Sequence, residues 1–390
     1  MEGWEHKPLC EICGFQRGLT YAKSDEVDSP GHTVLRANNI DLASHELNFN
    51  ELKFISDSVA VPASKVVRLG SLLVCTASGS KAHLGKVAYI DSDYGYAFGG
   101  FMGQLTPSKG VDGRYLFYAL TSPGYKDFIE ALSDGVNINN LKFDDLGRFS
   151  VPLPPLPEQR RLVAILDEAF EAIATAKANT EKNLQNTRDA FLAYRTAVLS
   201  TGGDEWDERQ LGAVCVLQRG LDLPSRDRKP GPYPLLSSSG LIDTHVEGPV
   251  RGPGVVTGRS GSIGSVFYVE QDFWPLNTVL YVRDFCGNHP RFVYHLLEHF
   301  DLKRFASGAG VPTLNRNIVH EEIVLVPQSL SAQEKVADSL DKLYAACQKV
   351  EKVHVKKVSA LDELKKSLLH QAFTGQLTAK STDQQLEAVA

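Results

Sequence analysis

The sequence predicts an α+β chain of two β-rich domains joined by two long antiparallel helices, related by a pseudo-twofold internal repeat. Three observations predict it. The chain repeats itself at long range. Each copy opens with short β-like runs broken by Gly, Pro, Asn and Ser. Each copy closes with about forty residues that contain no Pro or Gly and keep a helical apolar period.

The repeat is plainest at the start of each copy. With Trp4 set on Trp206, seven of the sixteen positions from Trp4 to Leu19 are identical, among them Cys13/Cys215 and Gln16-Arg17-Gly18-Leu19 against Gln218-Arg219-Gly220-Leu221. LGKVAYI at 84–90 answers IGSVFYV at 263–269, Asn140 answers Asn315, and Gln159 answers Gln333. The offset falls from 202 to 174 along the copy, so the second copy is shorter by 28 residues, which loops must absorb. A repeat this long is a duplicated domain rather than a solenoid.

The elements follow in order. Residues 1–150 form the first β-rich domain, with strand-like runs at Val34-Leu35 and Leu72–Thr76. Residues 151–203 form a helical region. The Pro-rich junction VPLPPLPEQ ends at Gln159, and Leu162, Leu166, Ala169, Ile173, Ala176, Leu184, Thr187, Phe191, Tyr194 and Val198 mark a seam. Residues 204–326 form the second β-rich domain, with a run at Val279–Val282. Residues 327–380 form the second helical region, with a seam at Val336, Leu340, Leu343, Cys347, Val350, Leu361, Leu364 and Leu368. Gly202 and Gly375 stop the two helices. Residues 381–390 read as a disordered tail. A helix of about forty residues spans roughly 60 Å, and its blandest partner is its own repeat.

Composition bounds the function. The 390 residues are 23% charged, 43% hydrophobic and 9% aromatic, an ordinary globular mix. The net charge of −6 argues against wholesale polyanion binding but permits a local basic groove. The polar start MEGWEHKPLC lacks a signal core, and no run approaches the ~18 apolar residues of a membrane span. The expectation is a soluble cytoplasmic protein without a membrane partner. Six cysteines with a single CxxC (Cys10, Cys13) read as reduced, mostly buried thiols, not a metal site. The stretch from Gly79 to Lys86 imitates a phosphate loop but has five residues between its glycines and Val87 where a Mg²⁺-binding hydroxyl belongs. No HExxH, GxSxG or methyltransferase tetrapeptide occurs, so no catalytic residue and no metal or cofactor site is expected in this chain.

Loop chemistry points to DNA. Ten of the twelve basic residues in 204–326 are Arg, which suits bidentate contacts to guanine or phosphate, although Arg–carboxylate pairing explains them equally. Amide-, hydroxyl- and Arg-rich tips recur: Arg36, Asn38 and Asn39; Ser78, Ser80 and Lys81; Asn137, Asn139 and Asn140 in the first copy. The second copy has Arg219; Ser237, Ser238 and Ser239; Arg259, Ser260 and Ser262; Asn277; and Thr313, Asn315, Arg316 and Asn317. Asn pairs bidentately with adenine, Arg with guanine, and Ser with base or phosphate. The same residue types are ordinary turn formers.

VPLPPLPEQRRLVAILD (151–167), VPQSLSAQEKVADSLD (326–341) and LKKSLLHQAFTGQL (364–377), with HTVLRANNI, GRSGSIGSV, FWPLNTVLYV and GAGVPTLNRN, carry a family resemblance over nearly the whole chain. The sequence resembles the DNA-specificity (S) subunits of type I restriction–modification systems. The resemblance implies two target-recognition domains that read a bipartite double-stranded DNA site with an unread spacer. It implies docking of two methyltransferase (M) subunits and of restriction (R) subunits, with S-adenosylmethionine, ATP and Mg on those partners. It also implies partner docking near Pro154, Pro155, Leu156, Glu158, Gln159 and Gln333. The second junction departs from the pattern by lacking Pro-Pro and the Glu before Gln333. A solitary DNA-binding or defence scaffold, and a coiled-coil scaffold without DNA, are the competing readings. Only a phosphate-contacting reader must weaken as salt rises.

Overall fold

The computed structural model describes residues 4–28, 31–133, 140–308 and 312–377. Asn137, Asn139 and the tail 381–390 lie outside the described residues. The chain divides into two compact units, Met1–Asn179 with Lys357–Ala390, and Thr180–Lys356.

In the first unit, strand Leu72–Cys75 lies between Met102–Pro107 and Val87–Tyr89, and Cys13–Arg17 completes an antiparallel sheet of four. Its uninterrupted apolar run has a physical reason: both faces are covered. Leu72 and Val74 enter one core cluster, Leu73 and Cys75 another. A second sheet runs Glu26–Val27, Lys53–Ile55, His32–Leu35, Ala97–Phe98, its last pair parallel. Glu5–Pro8 pairs with Ser150–Leu153 just before the first long helix.

In the second unit, Gly254–Gly258 lies between Val279–Asp284 and Val266–Val269, with Val216–Arg219 on the far side of Val279–Asp284. Gly240–His245, Tyr233–Ser237 and Trp274–Pro275 form a second sheet, again ending in a parallel pair. Trp206–Gln210 pairs with Ile323–Pro327 ahead of the second long helix. The main sheet thus has the same strand order in both units.

The shared Arg-Gly-Leu tripeptide is explained by backbone packing. A Cβ on Gly18 would lie 2.0 Å from the Gly99 carbonyl oxygen, and one on Gly220 would lie 2.1 Å from that of Leu276. Leu19 and Leu221 then bridge in parallel to Gly99 and Leu276. Only glycine permits so close an approach.

The long helices are Leu156–Thr201 and Leu330–Phe373. The Ser329 hydroxyl accepts the Ala332 N–H at 3.2 Å and caps the second. Gly202 (φ +64°) and Gly375 (φ +74°) end them in the left-handed conformation, as expected from sequence. Within each unit the helices pack antiparallel, partner numbers falling as residue numbers rise. In the first unit Lys365 sits over the Phe170 ring and Lys177 pairs with Asp362 at 3.0 Å. In the second, Arg188 pairs with Glu351 at 3.3 Å, Phe191 meets Tyr344, and Tyr194 bonds Ser339.

The seam differs from the sequence reading. Leu162 and Leu166 are buried in the first unit's domain core, which Leu369 and Ala372 also enter, while Leu340 is buried in the second unit's. Tyr194, Val350 and Leu364 remain exposed. Two helices alone cannot cover every seam position, so the domains bury the outer turns and ion pairs hold the stretches between. The thiols also differ: Cys13, Cys75 and Cys215 are buried, Cys10 and Cys286 exposed and Cys347 intermediate, all unbridged. Burial pushes the Cys13 and Cys215 thiols up to about 12.

Candidate nucleic-acid interface

One end of the two inner strands of the main sheet is built the same way in each unit. In the first, the Thr76 and Ala77 N–H groups donate to the Phe101 carbonyl at 2.9 and 3.1 Å, and Leu141 N–H donates to the Thr76 carbonyl at 2.6 Å. Ala77 bridges Asn140. In the second, Arg259 and Ser260 N–H donate to the Thr278 carbonyl at 2.9 and 3.1 Å, and Leu314 N–H donates to the Arg259 carbonyl at 2.8 Å. Ser260 bridges Thr313. Backbone bonds therefore set Asn140 on Thr313, not on Asn315 as the sequence alignment does.

In the first unit Ala77 bridges Asn140, and the turn that follows it carries Ser78, Ser80 and Lys81. Ser78 accepts the Ser80 N–H at 3.2 Å, which is turn chemistry. Arg36 adjoins the same turn, because Gly99 N–H donates to the Leu35 carbonyl at 2.9 Å. Asn38 is exposed and reaches Glu51 at 3.4 Å. Asn39 corrects the sequence expectation: it is 1% exposed, and its amide is spent inside the loop. Its oxygen accepts Arg36 N–H at 2.8 Å, and its nitrogen donates to the Asn48 and Glu51 carbonyls at 2.9 and 3.2 Å. It shapes a loop: both amide donors are spent and the oxygen is buried away from any base.

In the second unit Arg259, Ser260, Asn277 and Thr313 gather on the frame, with Ser262 exposed just beyond. Ser238 N–H donates to the Thr278 hydroxyl at 3.3 Å, and Ser237 and Ser239 share a hydroxyl bond at 2.8 Å. Asp222 takes Arg219 at 3.1 Å and also the Asn277 amide. Asp222, Ser237, Asn277 and Thr278 line a cavity of about 390 Å³ together with Arg228 and Ile242. The remaining candidates lie on another segment. Asn315 caps the helix Arg316–Glu321 through the Asn317 N–H, and Arg316 donates to the Leu217 carbonyl at 3.2 Å. Lys86, the lysine of the false phosphate loop, is 6% exposed and donates to the Ile40 carbonyl at 2.6 Å. Burial pushes its ammonium below its ordinary range. Among the described residues, no His, Cys, Asp and Glu side chains cluster as metal ligands would.

Among the junction residues, Pro154, Gln159 and Gln333 are corrected too. Gln159 is fully buried: its oxygen accepts Asp112 N–H at 2.8 Å, and its nitrogen donates to the Pro154 and Gly110 carbonyls at 2.8 and 3.1 Å. Gln333 is buried alike, accepting His289 N–H at 2.8 Å and donating to Asn288 and the Pro327 carbonyl at 2.8 and 3.0 Å. Pro154 is buried, Leu156 and Glu158 are half-buried and only Pro155 is exposed. Both glutamines clip a domain to its own helix and leave no polar atom for a partner.

A second clip follows eight residues along each helix. Arg114 Nε donates to both Asp167 oxygens at 2.8 and 3.0 Å, with the Tyr118 hydroxyl on the same carboxylate. In the second unit Arg291 and His295 play these parts on Asp341. Burial works to raise the Asp341 carboxyl, but hydrogen bonds from Arg291 and His295 hold it below its ordinary value. Sequence reasoning missed Asp222 and Phe101. An acid after Arg-Gly-Leu and a Phe after Gly-Gly were the available signals.

The sequence model of the type I restriction modification DNA specificity domain matches residues 1–186 and again 203–358. The chain is 29% identical over 228 residues to the type I restriction enzyme StySPI specificity subunit of Salmonella potsdam, covering 55% of this chain and 49% of that protein. It is 29% identical over 201 residues to the EcoKI specificity subunit of Escherichia coli K12, covering 51% and 42%. It thus spans about half the length of the curated relatives it matches. Among solved structures, a chain from a study of complex assembly and conformational transition of the type I R-M system superimposes with a TM-score of 0.81, 17% identity and 96% and 99% coverage. The HsdS subunit from Thermoanaerobacter tengcongensis follows with a TM-score of 0.63, 16% identity and 96% and 97% coverage. At these identities the structures show the fold alone. The two matched segments take in most of the chain, which therefore belongs to the type I restriction modification DNA specificity domain family.

Proposed function

We propose that this chain is the non-catalytic, sequence-reading subunit of a cytoplasmic type I restriction–modification complex. Residues 1–150 and 204–326 are target-recognition domains, each reading one half of a bipartite double-stranded DNA site. Residues 151–203 and 327–380 form an antiparallel spacer that sets the unread gap. Two M subunits and the R subunits dock on it and bring S-adenosylmethionine, ATP and Mg.

One observation carries the reading. The two units share a backbone frame at the end of the inner strands but present different side chains on it: Asn140, Ser78 and Ser80 in one, Thr313, Arg259 and Ser260 in the other. A duplicated frame with unlike polar tips suits two half-sites of different sequence, since base-edge contacts specify while phosphate contacts position. Matching strand orders in the main sheets support the duplication. Among the described residues no helix is long and apolar enough to cross a membrane, in keeping with a DNA-side role.

The test is a methylome. The chain is expressed with its neighbouring modification subunit in a methylation-free host, and modified adenines are mapped on native DNA. A split motif that is methylated only when this chain is present supports the proposal. No new methylation, with the partner shown to be folded and bound, overturns it in favour of a solitary scaffold.

A further inference from the structure

We propose that Phe101 is a base-contacting residue of the first unit, an apolar probe set among the polar tips at the end of the inner strands; this rests on the DNA-reading function. At 72% exposure it is the most exposed large apolar side chain among those described. Its backbone is pinned. The Phe101 carbonyl accepts the Thr76 N–H, the Ala77 N–H and the Thr76 hydroxyl, the last at 2.9 Å. A side chain left in water on so well-tied a turn loses little backbone freedom when it docks, so the contact is pre-organised.

Its neighbours decide the class of partner. The segments tied to that carbonyl carry Ser78, Ser80, Lys81 and Asn140, with Arg36 beside Gly99. A single ring among amide, hydroxyl and cationic groups does not make the continuous apolar patch of a protein interface. It does match DNA, where polar and cationic groups take phosphates and base edges while the ring meets the apolar part of a base. That part is the C5-methyl of thymine in the groove or the face of a base at an opened step. The second unit holds Thr278 at the corresponding place, so the two half-sites would be read differently there.

The full chain, assembled with its modification subunit, is compared as wild type, Phe101→Ala and Phe101→Thr, with Leu69→Ser as an exposed-apolar control. Methylated motifs are mapped, and binding is measured on duplexes carrying the motif found. Phe101→Ala is expected to weaken binding about tenfold and relax one or two positions of a single half-site, leaving the other half-site and Leu69→Ser unchanged. Uracil for thymine at those positions reproduces the loss in wild type, and adds nothing in Phe101→Ala, if the methyl is the contact. A wild-type rise in 2-aminopurine fluorescence that Phe101→Ala abolishes identifies an opened step. Unchanged motif and affinity in a folded Phe101→Ala complex overturn the proposal while the DNA-reading function stands. No motif in wild type removes both.

Discussion

Arg291 grips Asp341 through two nearly parallel bonds, Nε to Oδ2 at 2.6 Å and Nη2 to Oδ1 at 2.9 Å. The arginine belongs to the helix Pro290–His299 of the second domain and the aspartate to the long helix Leu330–Phe373. The same guanidinium lies 4.4 Å from the Tyr268 ring centroid, so it is held on its face as well as its edge. Arg114 and Asp167 repeat the pairing in the first unit with side chains 42% and 36% exposed, against 29% and 31% here.

That difference in exposure ranks the two clips. Asp341→Asn should destabilise the second unit by about 1–2 kcal/mol, and Asp167→Asn the first by less, because water screens the more open pair. Amide hydrogen exchange of the full chain reads each unit separately. Equal losses would contradict the ranking.

Gln159→Ala and Gln333→Ala should act on folding before they act on any partner. Each strands buried backbone groups, at a cost of about 1–3 kcal/mol. Urea unfolding is the check. A variant as stable as wild type that fails only to bind a modification subunit would restore the docking role.

Acid should loosen the second unit more than the first. Burial pushes His295, His299 and His320 below their ordinary value of 6.5, Asp341 opposing the shift at His295. In the first unit His45 is lowered in the same way. A histidine whose folded value is depressed binds its proton more readily when unfolded. Its contribution is complete above pH 6.5 and is lost as pH falls through the folded value. His295→Tyr installs the side chain that Tyr118 places on Asp167 and should lessen the second unit's loss of stability as pH falls below 6.5, with His299 and His320 still contributing. An unchanged pH profile would remove His295 from this account.

Adding one heptad to each long helix at matched positions should lengthen the unread DNA gap and leave both half-sites as they were. Seven residues add about 10 Å, close to three base pairs. Methylome mapping reports gap and half-sites together. An unchanged gap would defeat the spacer role.

The two domain-sized segments, the β-then-helix order and the glycine stops at Gly202 and Gly375 were all legible in the residues themselves. Each is a local signal: a repeated string, an apolar period, a residue that tolerates positive φ. The roles of Gln159, Asn39 and Lys86 were not legible. All three are polar residues whose burial depends on partners outside their own local stretch, within one loop for Asn39 and more than forty residues away for Gln159 and Lys86. Gln159 bonds residues 110 and 112, Asn39 residues 48 and 51, and Lys86 residue 40. The seam held in part: Ile173 and Phe191 are buried along it, but the domains claimed Leu162 and Leu166 for their own core. Sequence alone determined the repeat and its helices, because propensity and periodicity act between near neighbours. Tertiary structure decided which polar side chains are buried clips and which stay exposed, because burial depends on chain segments that meet only on folding.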